Sequence, residues 1–202
     1  VCSHQHTDHM GGLPEVLDEF GASTVIMPRL TKAQTPTNKT YTAFLNSVKA
    51  SGAKAEAAQP GKSYYLGSAK FEILGPVADD AESLNNMSAV LMLTFEGKKF
   101  LFTGDAEKEE EQEILAEGRE LDSDVLKVGH HGSSTSSSEA FIEAVSPQIA
   151  VISVGEGNSY GHPHASTLER LAEHGVQVLR TDISGSITVT CDGKQFAFET
   201  EK

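Results

Sequence analysis

Apolar residues recur along this chain with two periods, which together predict alternating helices and strands. Positions three and four residues apart, such as Leu13, Val16 and Leu17, line one face of a helix. Short apolar runs bounded by glycine or polar residues are typical of strands. Helices are predicted at residues 11–20, 40–50, 106–117, 137–145 and 166–175. Strands are predicted at residues 24–27, 64–66, 70–74, 89–95, 99–103, 124–128, 149–154 and 177–181, and in a terminal hairpin over 186–199.

The turns between several of these strands have the chemistry of antiparallel hairpins. The turn segments are Gly67-Ser68-Ala69, Glu96-Gly97-Lys98 and Asp192-Gly193. No internal repeat or low-complexity linker divides the chain, so one domain is predicted over residues 1–202. Hairpins interspersed with helices predict an α+β fold, in which sheets pack on each other and helices lie outside.

The chain is acidic, with 29 acidic against 16 basic residues and a formal net charge of -13. Proteins that bind nucleic acid tightly usually present a basic face, so charge alone disfavours such a ligand. Bound metal ions would weaken this objection, because ions are often the largest local charges in a site. No apolar run approaches the roughly 20 residues that span a bilayer, so no transmembrane segment is predicted. The sequence by itself assigns no compartment.

Seven of the eight histidines fall into three short clusters, which scattered core or surface histidines would not form. The clusters are His4, His6 and His9; His130 and His131; and His162 and His164. The eighth, His174, lies near the end of a predicted helix, where a cation is favourable.

The first cluster lies in the segment His4-Gln5-His6-Thr7-Asp8-His9, which predicts a metal site. Imidazole nitrogen and carboxylate oxygen are ligands that Zn, Mn and Fe accept. In an extended segment His4 and His6 point the same way and can hold one ion. Asp8 and His9 lie where the chain turns and can reach a second ion. Four ligand-type residues in six positions make a surface cluster without metal the weaker interpretation.

Two later strands end in further candidate ligands. Asp105 follows an apolar strand and a glycine, a position from which its carboxylate could bridge two ions. His130 is interpreted as a metal ligand. His131 is interpreted as a supporting or substrate-binding group, because two adjacent histidines do not easily face the same ion.

Two loops supply candidates for contacts with a substrate. Ser133 and Ser134 follow the histidine pair and offer hydroxyl and backbone N–H donors, which suit a phosphate. His162 and His164 lie in the third cluster. They could act as ligands, and a role as proton donor to a leaving group is equally reasonable.

Together these segments resemble the metallo-β-lactamase fold superfamily, whose ordered ligand set is an HxHxDH segment, a strand ending in Gly-Asp and a strand ending in Gly-His. Within it, the chain is similar to the C-terminal metallohydrolase domain of the ComEC-type competence proteins. The segments that carry this closer similarity are Asn85-Asn86-Met87-Ser88, His130-His131-Gly132-Ser133, Gly161-His162-Pro163-His164 and Thr181-Asp182-Ile183-Ser184-Gly185. The resemblance covers essentially the whole chain and implies an αββα sandwich.

The chain departs from the superfamily pattern in two places. Most members carry a further ligand histidine before the Gly-Asp strand, but this chain has none between His9 and His130. Asn85 and Asn86 take that place, as in the ComEC-like group. An amide oxygen is a weaker and harder ligand than imidazole, so one metal position is expected to be looser or to favour Mn over Zn. The ligand motif also begins at residue 4, so the N-terminal strands of the fold are expected to be missing.

The resemblance implies a metal-dependent phosphodiesterase or nuclease that acts on DNA during uptake, with a membrane channel region in a longer parent protein. Two divalent ions, Zn or Mn, are expected. The implied ligands are His4, His6 and Asn85 or Asn86 for one ion, Asp8, His9 and His130 for the other, and Asp105 between them. The candidate catalytic residues are Asp8, His162 and His164, the histidines as proton donors.

Two alternatives stay open at this point. One is a hydrolase of another small ester, thioester or phosphonate; the ligand set disfavours a lactam. The other is a non-catalytic metal-binding module of a DNA-uptake channel. The acidic charge favours this second alternative, whereas the intact set of ligand-type residues in open loops speaks against it.

Overall fold

The structure of the chain is a computed structural model that describes residues 1–202. Its helices are α1 (Thr7–Met10), α2 (Leu13–Phe20), α3 (Lys39–Ala50), α4 (Lys108–Ala116), α5 (Glu139–Val145), α6 (Ala165–Glu173) and α7 (Thr181–Ser184). Its strands are β1 (Thr24–Met27), β2 (Lys54–Ala57), β3 (Ser63–Leu66), β4 (Ala69–Ile73), β5 (Leu91–Phe95), β6 (Lys98–Phe102), β7 (Val125–Lys127), β8 (Ile149–Ile152), β9 (Gln177–Arg180), β10 (Ile187–Cys191) and β11 (Phe196–Thr200). Two short turns, Asn85–Met87 and Gly129–Gly132, carry candidate site residues.

The largest sheet has seven strands in the order β3-β4-β5-β6-β7-β8-β9. Neighbours from β3 to β6 are antiparallel, whereas β6 to β9 run parallel and are connected through helices α4, α5 and α6. Parallel strands need such crossovers, and they end at the same edge of the sheet. The segments after β6, β7 and β8 therefore meet at one edge. These are the segments that contain Asp105, His130 and His162.

The crossover helices pack on one face of this sheet and form the main core. Leu101 and Leu126 from the strands and Ile142 from α5 are all fully buried in it. Burying one such side chain stabilises the fold by about 1.5–3 kcal/mol. The hairpin β10–β11 packs on the opposite face, where the rings of Phe100 and Phe196 meet edge-on with centroids 5.5 Å apart. The sheet is thus covered by helices on one face and in part by this hairpin on the other.

The predicted α+β fold is confirmed, with element bounds that differ from the predicted ones by a few residues. The apolar pattern misses β2, because Lys54–Ala57 alternates charged residues with alanine. This strand forms through parallel pairing with β1, so tertiary pairing overrides weak intrinsic preference. No helix in the chain combines the length and the apolar character needed to cross a bilayer.

Glu110 on α4 gives a first prediction, on stability and pH. Its side chain is buried; Oε1 accepts a hydrogen bond of 2.9 Å from the Val77 N–H, whereas Oε2 has no partner. Burial raises the pKa of Glu110 to about 8. Between pH 4.5, the ordinary pKa of this carboxyl group, and pH 8, Glu110 holds a proton in the folded state that it releases in the unfolded state. The free energy of unfolding therefore falls as pH rises through this window.

We expect the Glu110→Gln variant to lose less stability than the parent between pH 6 and pH 9. At pH 9 it should be the more stable protein by about 1–3 kcal/mol, because no buried charge has to form. Urea unfolding at the two pH values measures the difference. Glu169→Gln, at an exposed position of α6, is the matched control. Equal pH dependence of Glu110→Gln and the parent would show that Glu110 ionises freely.

Candidate metal centre

The N-terminal segment lies between β1 and the residues that precede β5, and its backbone hydrogen bonds to both fix the position of the first histidines. The Cys2 N–H donates to the carbonyl of Ile26 in β1 (2.8 Å), and the Ala89 N–H donates to the carbonyl of Ser3 (2.7 Å). His4 is completely buried as a result. Its Nε2 lies 3.0 Å from Nδ1 of His6, so the extended segment brings these two side chains together. Asp8 and His9 follow on α1.

Asp105 lies at the centre of the candidate site. Its side chain is 3% exposed, and Oδ2 faces four imidazole Nε2 atoms. The distances from Oδ2 are 3.2 Å to His9, 3.7 Å to His131, 3.8 Å to His4 and 3.9 Å to His130. The other oxygen, Oδ1, is buried without a hydrogen-bond partner. A buried carboxylate with a free oxygen among imidazoles is the arrangement expected of a metal ligand.

The electrostatics fit the same interpretation. Burial lowers the pKa of His4 to about 3, with a further contribution from His9, so His4 is the neutral imidazole that a metal requires. Burial by itself would raise the pKa of Asp105. The hydrogen bond from His9 and the neighbouring histidine charges lower it well below its usual range, so this residue is a carboxylate.

The ligand-type atoms form two overlapping groups. One contains His4, His9 and Asp105, and the other contains Asp8, His9 and His131; within each group these atoms lie within 4.8 Å of one another. Imidazole nitrogen and carboxylate oxygen in such groups suit Zn, Mn or Fe. The donor set and the unpartnered Oδ1 of Asp105 therefore fit divalent metal.

Three serines orient the histidine rings. Ser3 Oγ lies 3.1 Å from Nδ1 of His9, and Ser88 Oγ lies 3.3 Å from Nδ1 of His4. His131 donates from Nδ1 to the carbonyl of Ser153 at 2.7 Å. Each contact leaves Nε2 directed at the centre, as partners of metal-binding histidines do. No role for these serines was predicted from the sequence. Ser3 directly precedes the ligand segment and Ser88 ends the Asn85-Asn86-Met87-Ser88 segment, but Ser153 acts through its backbone, which no side-chain pattern shows.

The structure assigns different surroundings to His130 and His131. Nε2 of His131 lies 3.4 Å from Asp8 Oδ2 and 3.3 Å from His9 Nε2. Nδ1 of His130 instead lies 3.1 Å from the Thr135 hydroxyl and near Glu107. The geometry therefore favours His131 as the ligand and His130 as its neighbour, the reverse of the assignment made from sequence.

Asn85 and Asn86 also separate. Asn86 is held by α4, since its Oδ1 accepts from the Glu107 N–H (2.8 Å) and its Nδ2 donates to Glu109 (3.3 Å). Asn85 lines the central cavity, and its Oδ1 is buried without a hydrogen-bond partner. Of the two amides only that of Asn85 is available to an ion or a substrate.

The remaining candidates differ in their access to the site. A cavity of about 620 Å³ opens over Asp105, and its lining includes His6, Asp8 and His162. His164 starts α6, and its Nδ1 accepts from the Ser134 N–H at 2.8 Å, so this residue braces the loop behind His162. Neither Ser133 nor Ser134 lines this cavity.

Ser133 is occupied within its own loop. It is almost fully buried, its Oγ lies 3.1 Å from the Thr135 hydroxyl, and its carbonyl accepts from the Thr167 hydroxyl (3.1 Å). The predicted phosphate contact of Ser133 therefore has no support in this geometry. His174 lies apart from the site and pairs with Glu139 at 2.6 Å.

Comparison with known proteins agrees with this centre. A family model described as "Metallo-beta-lactamase superfamily" matches residues 1–156. The chain belongs to this superfamily. Membership supports a metal-dependent hydrolase, and together with the donor set it supports divalent metal binding.

Two curated relatives narrow the position within the superfamily. ComE operon protein 3 of Bacillus subtilis is 35% identical over 187 residues, which are 93% of this chain and 24% of the relative. Competence protein ComA of Neisseria gonorrhoeae is 42% identical over 118 residues, which are 58% of this chain and 17% of the relative. The resemblance to ComEC-type competence proteins is thus confirmed. The chain spans about a quarter or less of the length of these relatives.

A solved structure agrees at the level of the fold. CmlA, a diiron beta-hydroxylase from Streptomyces venezuelae, superposes with a TM-score of 0.59 at 13% identity, over 88% of this chain and 42% of that chain. At this identity the likeness concerns the fold alone.

Proposed function

We propose that this chain is a phosphodiesterase that cleaves DNA, and that it forms part of a ComEC-type uptake protein. The observation that carries the proposal is the buried Asp105 carboxylate, which belongs to one group of ligand atoms and lies 3.2 Å from His9 and 3.7 Å from His131 of the other. The site opens to a cavity large enough for a nucleotide segment. The coverage of the relatives supports a longer parent, which we place at the membrane as a DNA channel.

In this proposal His4, His6 and Asn85 would hold one ion, Asp8, His9 and His131 would hold the other, and Asp105 would be available to both. The amide of Asn85 makes the first position the looser one and favours Mn over Zn there. When bound, two divalent ions activate water at neutral pH and neutralise the charge that develops at phosphorus.

The side chains around the ions have separate tasks. The serine contacts hold the rings of His4, His9 and His131, so that little reorganisation is needed during the reaction. His162 lies on the cavity wall, from which its ring can pass a proton to the leaving oxygen. His164 takes a positioning role, since the Ser134 N–H fixes its ring behind that of His162.

The proposal is tested with the chain loaded with Mn or Zn. We expect hydrolysis of single-stranded DNA and of bis-p-nitrophenyl phosphate, no turnover of the lactam nitrocefin, and complete loss of activity in EDTA. Metal content is measured by native mass spectrometry in the same samples. Two bound ions with no turnover of any substrate would favour the non-catalytic module. Turnover of a thioester or phosphonate without phosphodiester cleavage would assign another substrate.

A further inference from the structure

Tyr160 lies at the mouth of the cavity and takes no part in the hydrolysis proposed above. Tyr160 is 78% exposed, although large aromatic side chains are usually covered. Its ring stacks on that of His162, with centroids 5.7 Å apart and an angle of 21° between the planes. One face of Tyr160 therefore lies on a residue of the cavity wall, while the other is open to solvent.

The loop around Tyr160 is braced. The Asn158 side chain donates to the carbonyls of Gly155 (3.1 Å) and His162 (2.7 Å) and accepts from the His162 N–H (3.0 Å). These bonds close the loop on both sides of Tyr160. An exposed ring held in this way contributes little to the core, but it presents a fixed flat surface.

Two histidine rings connect Tyr160 with the candidate metal centre. The centroid of His162 is 5.5 Å from that of His130, and Nε2 of His130 is 3.9 Å from Asp105 Oδ2. Tyr160, His162 and His130 are thus successive rings of the cavity that also contains Asp105. A group stacked on Tyr160 would lie at the mouth of this cavity.

The charge of the side chains around the cavity limits how a nucleic acid could be bound. The lining contains no lysine or arginine, and the chain carries a net charge of -13. Lysine and arginine of the lining therefore contribute no affinity for a polyanion. Stacking of a base on an aromatic ring needs no charge, accepts every base, and is the usual supplement in proteins that bind single strands.

We propose, on the basis of the function proposed above, that Tyr160 is a stacking platform for an unpaired nucleobase next to the scissile phosphodiester. A base inside a duplex is already stacked on both sides and must be extruded at a cost before it can use such a platform. Tyr160 therefore selects single-stranded DNA and frayed ends over intact duplex.

Two esters with the same leaving group test this role. They are the p-nitrophenyl ester of thymidine 5′-phosphate, which carries a base, and methyl p-nitrophenyl phosphate, which does not. Tyr160→Ala should raise KM for the nucleotide ester about 5- to 50-fold. The increase should be at least fivefold smaller for the methyl ester. Tyr160→Phe should behave as the parent, because the ring is retained. Tyr65→Ala, at a tyrosine of β3 that is 74% exposed, is the matched control.

The outcomes separate this inference from the proposed function. If the parent cleaves both esters and Tyr160→Ala raises KM equally for both, the proposed stacking role of Tyr160 is wrong, whereas the proposed phosphodiesterase activity is supported. If the parent cleaves neither, the phosphodiesterase is wrong. Binding then decides the platform, through the quenching of a single-stranded oligonucleotide that contains 2-aminopurine. Quenching by the parent and by Tyr160→Phe but not by Tyr160→Ala supports stacking, and equal signals from all three overturn it.

Discussion

Replacing Asp105 by asparagine should abolish metal-dependent hydrolysis while leaving the metal-free fold intact. The substitution keeps the shape of the side chain but removes the negative charge that faces His4, His9 and His131. Because Asp105 is the residue shared by both proposed ion positions, we expect kcat with bis-p-nitrophenyl phosphate to fall at least about 10³-fold.

Thermal unfolding separates a metal effect from a folding effect. A ligand at 100 times its Kd stabilises a folded protein by about 2.7 kcal/mol, which is roughly 5–10 °C in Tm at this chain length. The parent should show such a rise with Mn, and Asp105→Asn should show less than a third of it. In EDTA the variant should still unfold cooperatively, so the metal-induced rise in Tm is compared and not the absolute Tm. Asp18→Asn, at an exposed position of α2, is the control.

The result that would refute this role is a variant that keeps both the metal-induced rise in Tm and the parental rate. A lower Tm in EDTA alone would instead show that Asp105 supports the fold through its histidine contacts. The two readouts therefore distinguish a ligand from a structural carboxylate.

Much of the fold and the first ligand segment could be predicted because both depend on local pattern. The helical and strand periods locate nearly every element, and His4 and His6 are brought together by the extended backbone that their spacing requires. β2 could not be predicted in this way. Its residues have little preference for a strand, and only pairing with β1 makes them one.

The later ligands depend on backbone conformations that sequence does not show. His130 and His131 have φ values of +47° and +54°, which are uncommon for residues other than glycine. This conformation lets both rings approach Asp105, which the spacing of two adjacent histidines alone does not show. The choice between Asn85 and Asn86 depends likewise on a short turn that directs one amide to the cavity and the other to α4.

The two histidines give the second large prediction. His131→Ala should lose one of the two bound ions and lower kcat/KM by about 10³-fold, because it removes a side chain whose Nε2 contacts Asp8 and His9. His130→Ala should keep both ions and lose only about 10- to 100-fold, the range typical of residues that support a metal site from outside. Native mass spectrometry and phosphodiesterase kinetics measure the two effects.

Comparison of these variants decides the ligand in a way that either substitution alone cannot. His174→Ala, remote from the centre and paired with Glu139, controls for the loss of an imidazole. Loss of an ion in His130→Ala but not in His131→Ala would restore the assignment made from sequence. In that case the contact of His130 with Glu107 would be the one that orients a ligand, and the bond from His131 to the Ser153 carbonyl would serve the fold of the loop. The expected order, His131 above His130, follows from which Nε2 lies within 3.5 Å of another ligand atom.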